Sequence, residues 1–250
     1  MVSLAAVWRA AGVEPDAVVG HSQGEIAAAA VAGILSLEDA AKVVALRSRA
    51  LKVLAGRGGM LSVAAPVGVV REVLAPFGDR LSVAAVNGPA ATVVSGEPGA
   101  LRELETACEG SVRTRMIPVD YASHSAQVEE IRGPVLTALD GITPREAAIP
   151  MVSAMTGEAI TGPELDPGYW YESLRRTVEF HSAVLTLAAA GHARFVEVSP
   201  HPVLTPAVAD VESGGRPVVT VDTLRRGDGG VGRLLRSLGE AWVCGLSVGW

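Results

Sequence analysis

The sequence predicts an α/β protein in which a small βαββαβ unit is inserted into a larger α/β body. Three observations predict it. The apolar run Ala17-Val18-Val19 leads through Gly20-His21-Ser22-Gln23-Gly24 into an alanine-rich segment at 26–30, which is a strand, a sharp turn and a helix in succession. Over about residues 60–120 the pattern runs strand, helix, strand, strand, helix, strand. Beyond it helical and strand-like segments alternate again, and a 250-residue chain is long enough for one large body with a smaller insert.

Each element has a local reason. Residues 2–11 form an amphipathic helix ended by Gly12, and Val13-Glu14-Pro15-Asp16 turns into the strand at 17–19. A helix follows Ser22 to about Val31 and is closed by Gly33. Ser36-Leu37-Glu38-Asp39 is an N-terminal signal for the next helix, expected through Arg47 to about Ala55, with Gly56-Arg57-Gly58-Gly59 as the breaker. The insert then reads as strand 60–65, helix 67–74, strands 81–87 and 92–95 around Asn87-Gly88-Pro89, helix 97–108 and strand 114–119. The return reads as helix 125–139, strand 150–153, helices 169–175 and 180–190, and strand 194–198. A short helix after Pro202, an extended stretch at 216–224, a helix at 231–244 and a tail complete the chain.

Composition narrows the function. Hydrophobic residues make up 49% and charged residues 19%, as for a packed core, and with aromatics at 4% that core is expected to be Val, Leu, Ala and Ile. A net charge of −6 argues against a nucleic-acid surface. Lys42 and Lys52 are the only lysines, which speaks of a GC-rich coding sequence more than of function. Cys108 and Cys244 have no metal-ligand or redox spacing and are expected to be free thiols. No stretch reads as a signal peptide or a membrane span, so a cytoplasmic location is expected.

The chemistry centres on Ser22. A serine between a strand and a helix sits on a sharp turn with its hydroxyl exposed at the sheet's carboxyl edge. The helix N-terminus behind it offers N–H groups to a developing oxyanion. That arrangement suits acyl transfer through a serine ester. A serine nucleophile needs a base. His21 adjoins Ser22 and is expected to form a wall, while His181 and His192 fall on helices or helix ends. His124 and His201 both lie in loops at strand ends, where α/β sites form, so the residues alone divide the base between them, with His124 preferred. Arg47 lies on the helix after the elbow helix, where an arginine facing an acyl-serine would clamp a free carboxylate; without further context it reads as a surface arginine of an amphipathic helix, and its neighbour Arg49 as solvent-facing.

The motifs Gly20-His21-Ser22-Gln23-Gly24-Glu25, Leu46-Arg47-Ser48-Arg49-Ala50-Leu51, Ala85-Val86-Asn87-Gly88-Pro89 and Tyr121-Ala122-Ser123-His124, with Trp170-Tyr171 and Glu197-Val198-Ser199-Pro200-His201-Pro202-Val203-Leu204 downstream, span the whole chain. Together they resemble the acyltransferase domain of a modular type I polyketide synthase, related to malonyl-CoA:acyl carrier protein transacylases. The resemblance implies an α/β-hydrolase-like large subdomain over 1–59 and 121–215, a ferredoxin-like small subdomain over 60–120 and a linker that follows the domain over 216–250. It implies Ser22 as nucleophile, His124 as base, the Gln23 N–H as oxyanion donor and Arg47 as clamp for the carboxylate of the extender unit. His21, Tyr121 and Ser123 are implied to face the substrate, the backbone carbonyl of Ser173 to orient His124, and Asn87 and His201 to be structural parts of the pocket. Gln23 and Tyr-Ala-Ser-His favour a methylmalonyl unit over malonyl, because a serine where malonyl selectors carry phenylalanine leaves room for a methyl branch, worth about 1–3 kcal/mol.

No metal or bound cofactor is implied. The substrate is a coenzyme A thioester, and the acceptor is the phosphopantetheine arm of an acyl carrier protein, with ketosynthase and linker domains as neighbours. Domains of this kind begin further upstream, with a strand and a Gly-Gln-Gly-Ser-Gln-like loop that supplies a second oxyanion donor. A chain beginning at Met1-Val2-Ser3 is therefore expected to turn over weakly or to be a silent structural piece. The remaining alternative is a serine esterase with Asp166 and His201 as partners of Ser22.

Overall fold

The computed structural model describes residues 1–250. α1 (Val2–Ala10) ends at Gly12, whose φ of +79° a residue with a side chain rarely adopts, and the chain turns into the two-residue strand β1 (Val18–Val19). α2 (Gly24–Val31) follows. α3 (Leu37–Leu51) starts where Ser36 accepts from the Asp39 N–H at 2.9 Å, with Glu38 and Asp39 complementing the dipole. It stops at Leu51, and the residues expected to continue it tighten into a 3₁₀ turn at Lys52–Leu54.

The insert comprises β2 (Gly59–Val63), α4 (Val67–Leu74), β3 (Leu81–Gly88), β4 (Ala91–Gly96), α5 (Pro98–Cys108) and β5 (Thr114–Ile117). Its sheet runs β3-β4-β2-β5 with every pair antiparallel, which is the ferredoxin-like order. One face packs on α4 and α5 through Leu61, Val63, Val70, Leu74, Leu101 and Leu104. On the outer edge of β3, next to a register shift between Val83 and Ala85, the sheet takes up Val178 of the larger body as a parallel bridge. The Val178 N–H donates to Ala84 O (2.9 Å), and the Val86 N–H to Val178 O (2.8 Å).

The returning chain forms a 3₁₀ turn at Ala126–Ile131 and only then α6 (Arg132–Ala138). The single helix expected over 125–139 is interrupted because Pro134 has no N–H and is tolerated only in a helix's first turn. β6 (Met151–Val152), the unforeseen β7 (Ala159–Ile160), α7 (Pro167–Arg175), α8 (Phe180–Ala189), β8 (Arg194–Glu197) and α9 (Thr205–Ala209) follow. Then come β9 (Glu212–Ser213), β10 (Arg216–Pro217), β11 (Val219–Asp222) and α10 (Val231–Val243). β1 pairs parallel with β6, which pairs with β7, while β8 pairs parallel with β11. Between the two sheets runs a groove of about 500 Å³, lined in part by Val18, Val19, Phe195 and Val196 and passing His21 and Gln23.

The main core, aliphatic as expected apart from Trp170 and Tyr171, joins α2, α3, α6 and α7. The expected boundary at 215–216 is not a break in the structure, because β9 and β10 pair across it. α10 packs Leu238 and Ala241 on Trp8 and Val221, and the Trp8 indole N–H donates to Thr223 Oγ1 at 3.0 Å. Apolar burial thus welds the last segment to α1. No helix is long and apolar enough to cross a membrane.

Candidate active site

Ser22 and His124 are the only non-glycine residues with positive φ, at +50° and +58°. Such backbone is costly for a residue with a Cβ and persists only where the surroundings hold it. For Ser22 the surroundings are the tight junction of β1 and α2. A Cβ on Gly20 would overlap the Glu25 backbone nitrogen and the Gly24 carbonyl carbon, whereas one on Gly24 would meet only the tip of Met1. Gly20 is therefore the indispensable glycine of the pair. Gly20→Ala is expected to lower stability by about 3 kcal/mol or more, read as a fall in the urea midpoint, while Gly24→Ala stays within about 1 kcal/mol.

His124 is held by its backbone. Its N–H donates to Leu174 O at 2.8 Å, and its carbonyl accepts from Ser95 Oγ in β4 at 3.3 Å. The imidazole is 4% exposed. Nε2 lies 2.9 Å from Ser22 Oγ, and Nδ1 lies 2.8 Å from Arg176 O. A carbonyl only accepts, so Nδ1 carries the proton and Nε2 is the free base aimed at the serine. Burial, followed by the repulsion of Arg47 and His21, pushes the histidine pKa down to about 3 against the support of the Arg176 carbonyl. The imidazole is thus neutral across the physiological range. The carbonyl expected from Ser173 comes instead from Arg176, three residues later. Ser173 sits within the last turn of α7, and its hydroxyl donates to Glu25 Oε2 at 3.2 Å.

Arg47 is 1% exposed, and its Nε and Nη1 have no hydrogen-bond partner. The surface reading of this residue is corrected by the packing of α3. Ala40, Val43, Arg47 and Leu51 form the buried stripe of the helix, so the arginine occupies an apolar position, and that spacing was a signal in the sequence. Burial lowers its pKa to about 10, opposed by Glu25 and Tyr121. Such a group stays cationic and lacks a partner, as a receptor for a carboxylate would. Arg49 is exposed.

The other residues complete the walls. His21 Nε2 lies 2.7 Å from Asn87 Oδ1 in β3, and its ring stands edge-on to Phe180, so it joins the two bodies beside the nucleophile. Gln23 is exposed at the N-cap of α2, and its N–H makes no hydrogen bond to the backbone, which leaves it free beside Ser22. Ser123 is buried next to His124, and Tyr121 packs against the main core.

His201 is not in the pocket. It is exposed, its Nδ1 accepting from the Arg226 N–H at 3.3 Å. The side chain that organises its loop is Glu197, which accepts from the N–H groups of Val203, Leu204 and Thr205 at 2.8–3.0 Å. Asp166 caps α7 at the Tyr169 N–H. Neither partner of the esterase alternative reaches Ser22.

The profile described as "Acyl transferase domain" matches residues 1–248. The chain belongs to the acyl transferase domain family. The acyltransferase domain is 60% identical over 253 residues to the spectinabilin polyketide synthase system protein NorA of Streptomyces orinoci, covering all of this chain and 13% of that protein. It is 56% identical over 252 residues to the polyketide synthase GfsE of Streptomyces halstedii, covering 100% of this chain and 7% of that one. Among solved structures, the acyltransferase domain from module 8 of the salinomycin polyketide synthase is 60% identical with a TM-score of 0.97, over 100% of this chain and 59% of that one. The acyltransferase domain is thus of the polyketide synthase type, and it spans a small fraction of the length of its curated relatives.

Proposed function

We propose that this acyltransferase domain takes a methylmalonyl unit from coenzyme A and delivers it, through an ester at Ser22, to the phosphopantetheine thiol of an acyl carrier protein. The observation that carries the reading is the Ser22–His124 pair at 2.9 Å with the buried, unpartnered guanidinium of Arg47 near enough to act on the charge of His124.

His124 Nε2 takes the hydroxyl proton as Ser22 Oγ attacks the thioester carbonyl. The Gln23 N–H at the start of α2 stabilises the tetrahedral oxyanion. Collapse breaks the carbon–sulfur bond, and the proton on His124 passes to the departing thiolate of coenzyme A. The carrier thiol then gives its proton to His124 and attacks the ester, and Ser22 recovers its proton. Arg47 accepts the free carboxylate of the unit through parallel N–H···O bonds, favouring dicarboxylic acyl groups. Small Ser123, with Tyr121 and His21, leaves space at the acyl α-carbon for a methyl. The kinship to polyketide synthase components supports the carrier protein as acceptor.

Intact-mass spectrometry after mixing with methylmalonyl-, malonyl- and acetyl-CoA in competition tests the reading. A methylmalonyl adduct dominates and is absent in Ser22→Ala if it is right. A dominant acetyl adduct, or an adduct that survives the substitution, overturns it.

A further inference from the structure

Glu25 is a fully buried carboxylate that the proposed chemistry does not use. It lies three residues after the nucleophile, on the first turn of α2, and is 1% exposed. It pairs with no cation in the structure, yet three donors reach it. They are the Ala154 N–H (2.9 Å), the Tyr169 hydroxyl (2.8 Å) and the Ser173 hydroxyl (3.2 Å). Two of these are on α7. The third follows β6, and the carbonyl of the same Ala154 accepts from the Glu179 N–H at 2.6 Å.

Arg176 lies between those two anchor points. Upstream, α7 ends at Arg175, with Tyr169 and Ser173 tied to Glu25. Downstream, Glu179 is tied to Glu25 through Ala154, whose N–H donates to Glu25 and whose carbonyl accepts from Glu179, and Val178 between Arg176 and Glu179 is bridged to β3. The short segment 176–179 presents the Arg176 carbonyl to His124 Nδ1, and Leu174, at the end of the same helix, takes the His124 backbone N–H. Glu25, Ala154, Ser173, Thr177 and Val178 also cluster closely around Ser22. Base and nucleophile thus hang from one carboxylate, His124 through the segment that Glu25 holds at both ends, Ser22 through the backbone of α2.

We propose that Glu25 is the positioning residue of the Ser22–His124 pair, fixing by its hydrogen bonds the segment whose carbonyl aims the histidine. No carboxylate touches His124, and Glu25 does at one remove what an acid in direct contact would do. The inference rests on Ser22 and His124 being nucleophile and base.

The test is the rate at which an uncharged fluorophosphonate labels Ser22, measured beside the KM and rate of acylation by methylmalonyl-CoA. Misplacing a reacting group by about 1 Å costs on the order of 10²-fold. Glu25→Ala is therefore expected to lower labelling and acylation about 100-fold with KM unchanged. Glu25→Gln is expected to recover to within about 10-fold of wild type, because the amide oxygen can keep the Ala154 N–H and the Tyr169 hydroxyl while the Ser173 hydroxyl turns to accept from the amide N–H.

A folded Glu25→Ala labelled at the wild-type rate overturns the proposal and leaves a purely structural carboxylate. Glu25→Gln as slow as Glu25→Ala overturns it in favour of a role for the charge. A change confined to KM for carboxylated donors points to a counter-charge for Arg47 and overturns it as well. If Glu25→Ala does not fold, Ser173→Ala decides. This variant keeps the carboxylate and removes one tie to α7, so it is expected to slow labelling several-fold, and a wild-type rate overturns the proposal. Wild-type protein that is unlabelled, or labelled equally in Ser22→Ala, overturns the reading of the site itself and the proposal with it.

Discussion

Replacing His124 with glutamine is expected to lower the rate of Ser22 acylation by about 10³-fold while leaving the protein folded, because a positioned general base contributes 10²–10⁴-fold. Glutamine can occupy part of the imidazole's space and still donate to the Arg176 carbonyl, but it cannot take the serine proton. Rapid-quench mass spectrometry of the acyl-enzyme measures the effect, and an unchanged rate would sink the role given to His124. The same substitution carries a pH signature. The pKa of His124 falls from the ordinary 6.5 to about 3 in the folded protein. A base is active when neutral, so acylation is expected to stay level from pH 8 down to about 5, where a histidine of ordinary pKa would already be protonated.

Stability follows with a defined sign. Between pH 6.5 and about 3 the unfolded chain binds a proton at His124 that the folded chain excludes, so this contribution is complete above pH 6.5 and drains away as the pH falls toward 3. The slope approaches about 1.4 kcal/mol per pH unit for one group. Burial lowers the pKa of His21 as well and adds to the slope in the same direction. Urea melts at a series of pH values are expected to show His124→Gln losing one group's share of it.

The second large effect is at Arg47. Arg47→Leu is expected to cut acylation by dicarboxylic donors about 10²–10³-fold, since each lost charged hydrogen bond is worth about 1.5–3 kcal/mol. Acetyl-CoA is expected to react as fast as with wild type or faster. The same variant is expected to be more stable. Nε and Nη1 are buried with no partner, and the lowering from 12.5 to about 10 corresponds to a desolvation cost on the order of 3 kcal/mol. Function and stability therefore pull in opposite directions at one residue, as for a group kept unpaired so that a ligand can pair it.

On the proposed reading, an acyl carboxylate at Arg47 also changes the base. Arg47 is among the charges that disfavour the imidazolium of His124, and a carboxylate bound to the guanidinium cancels that repulsion as the proton arrives. Competition between malonyl- and acetyl-CoA, read beside the thermal midpoint, checks both arms. A retained preference for dicarboxylic donors, or a midpoint below wild type, would falsify the clamp.

Much of the architecture was legible because its causes are local. Ser36 starts α3, Gly12 ends α1, and alternating apolar residues mark β2, β3 and β4 within a few residues of where they fall. β7 and β9, two residues each, were not foreseen, because so short a strand carries no periodicity and exists only through its partner. The boundary expected at 215–216 failed for the same reason, since pairing across it is a tertiary event.

By itself the sequence determined the elements, the glycine-framed turn at Ser22 and the histidine of Tyr-Ala-Ser-His as candidate base, since turn chemistry and short motifs are properties of neighbouring residues. Only the tertiary structure decided what those residues face. It buried Arg47, because α2 and α6 cover the face of α3 that carries it. It left His201 outside and gave its loop to Glu197. It chose Arg176 to orient His124 through a carbonyl that every residue possesses and no side chain announces. Hydrogen bonds to the backbone and the burial of a charge depend on which segments meet in space, and packing alone brings them together.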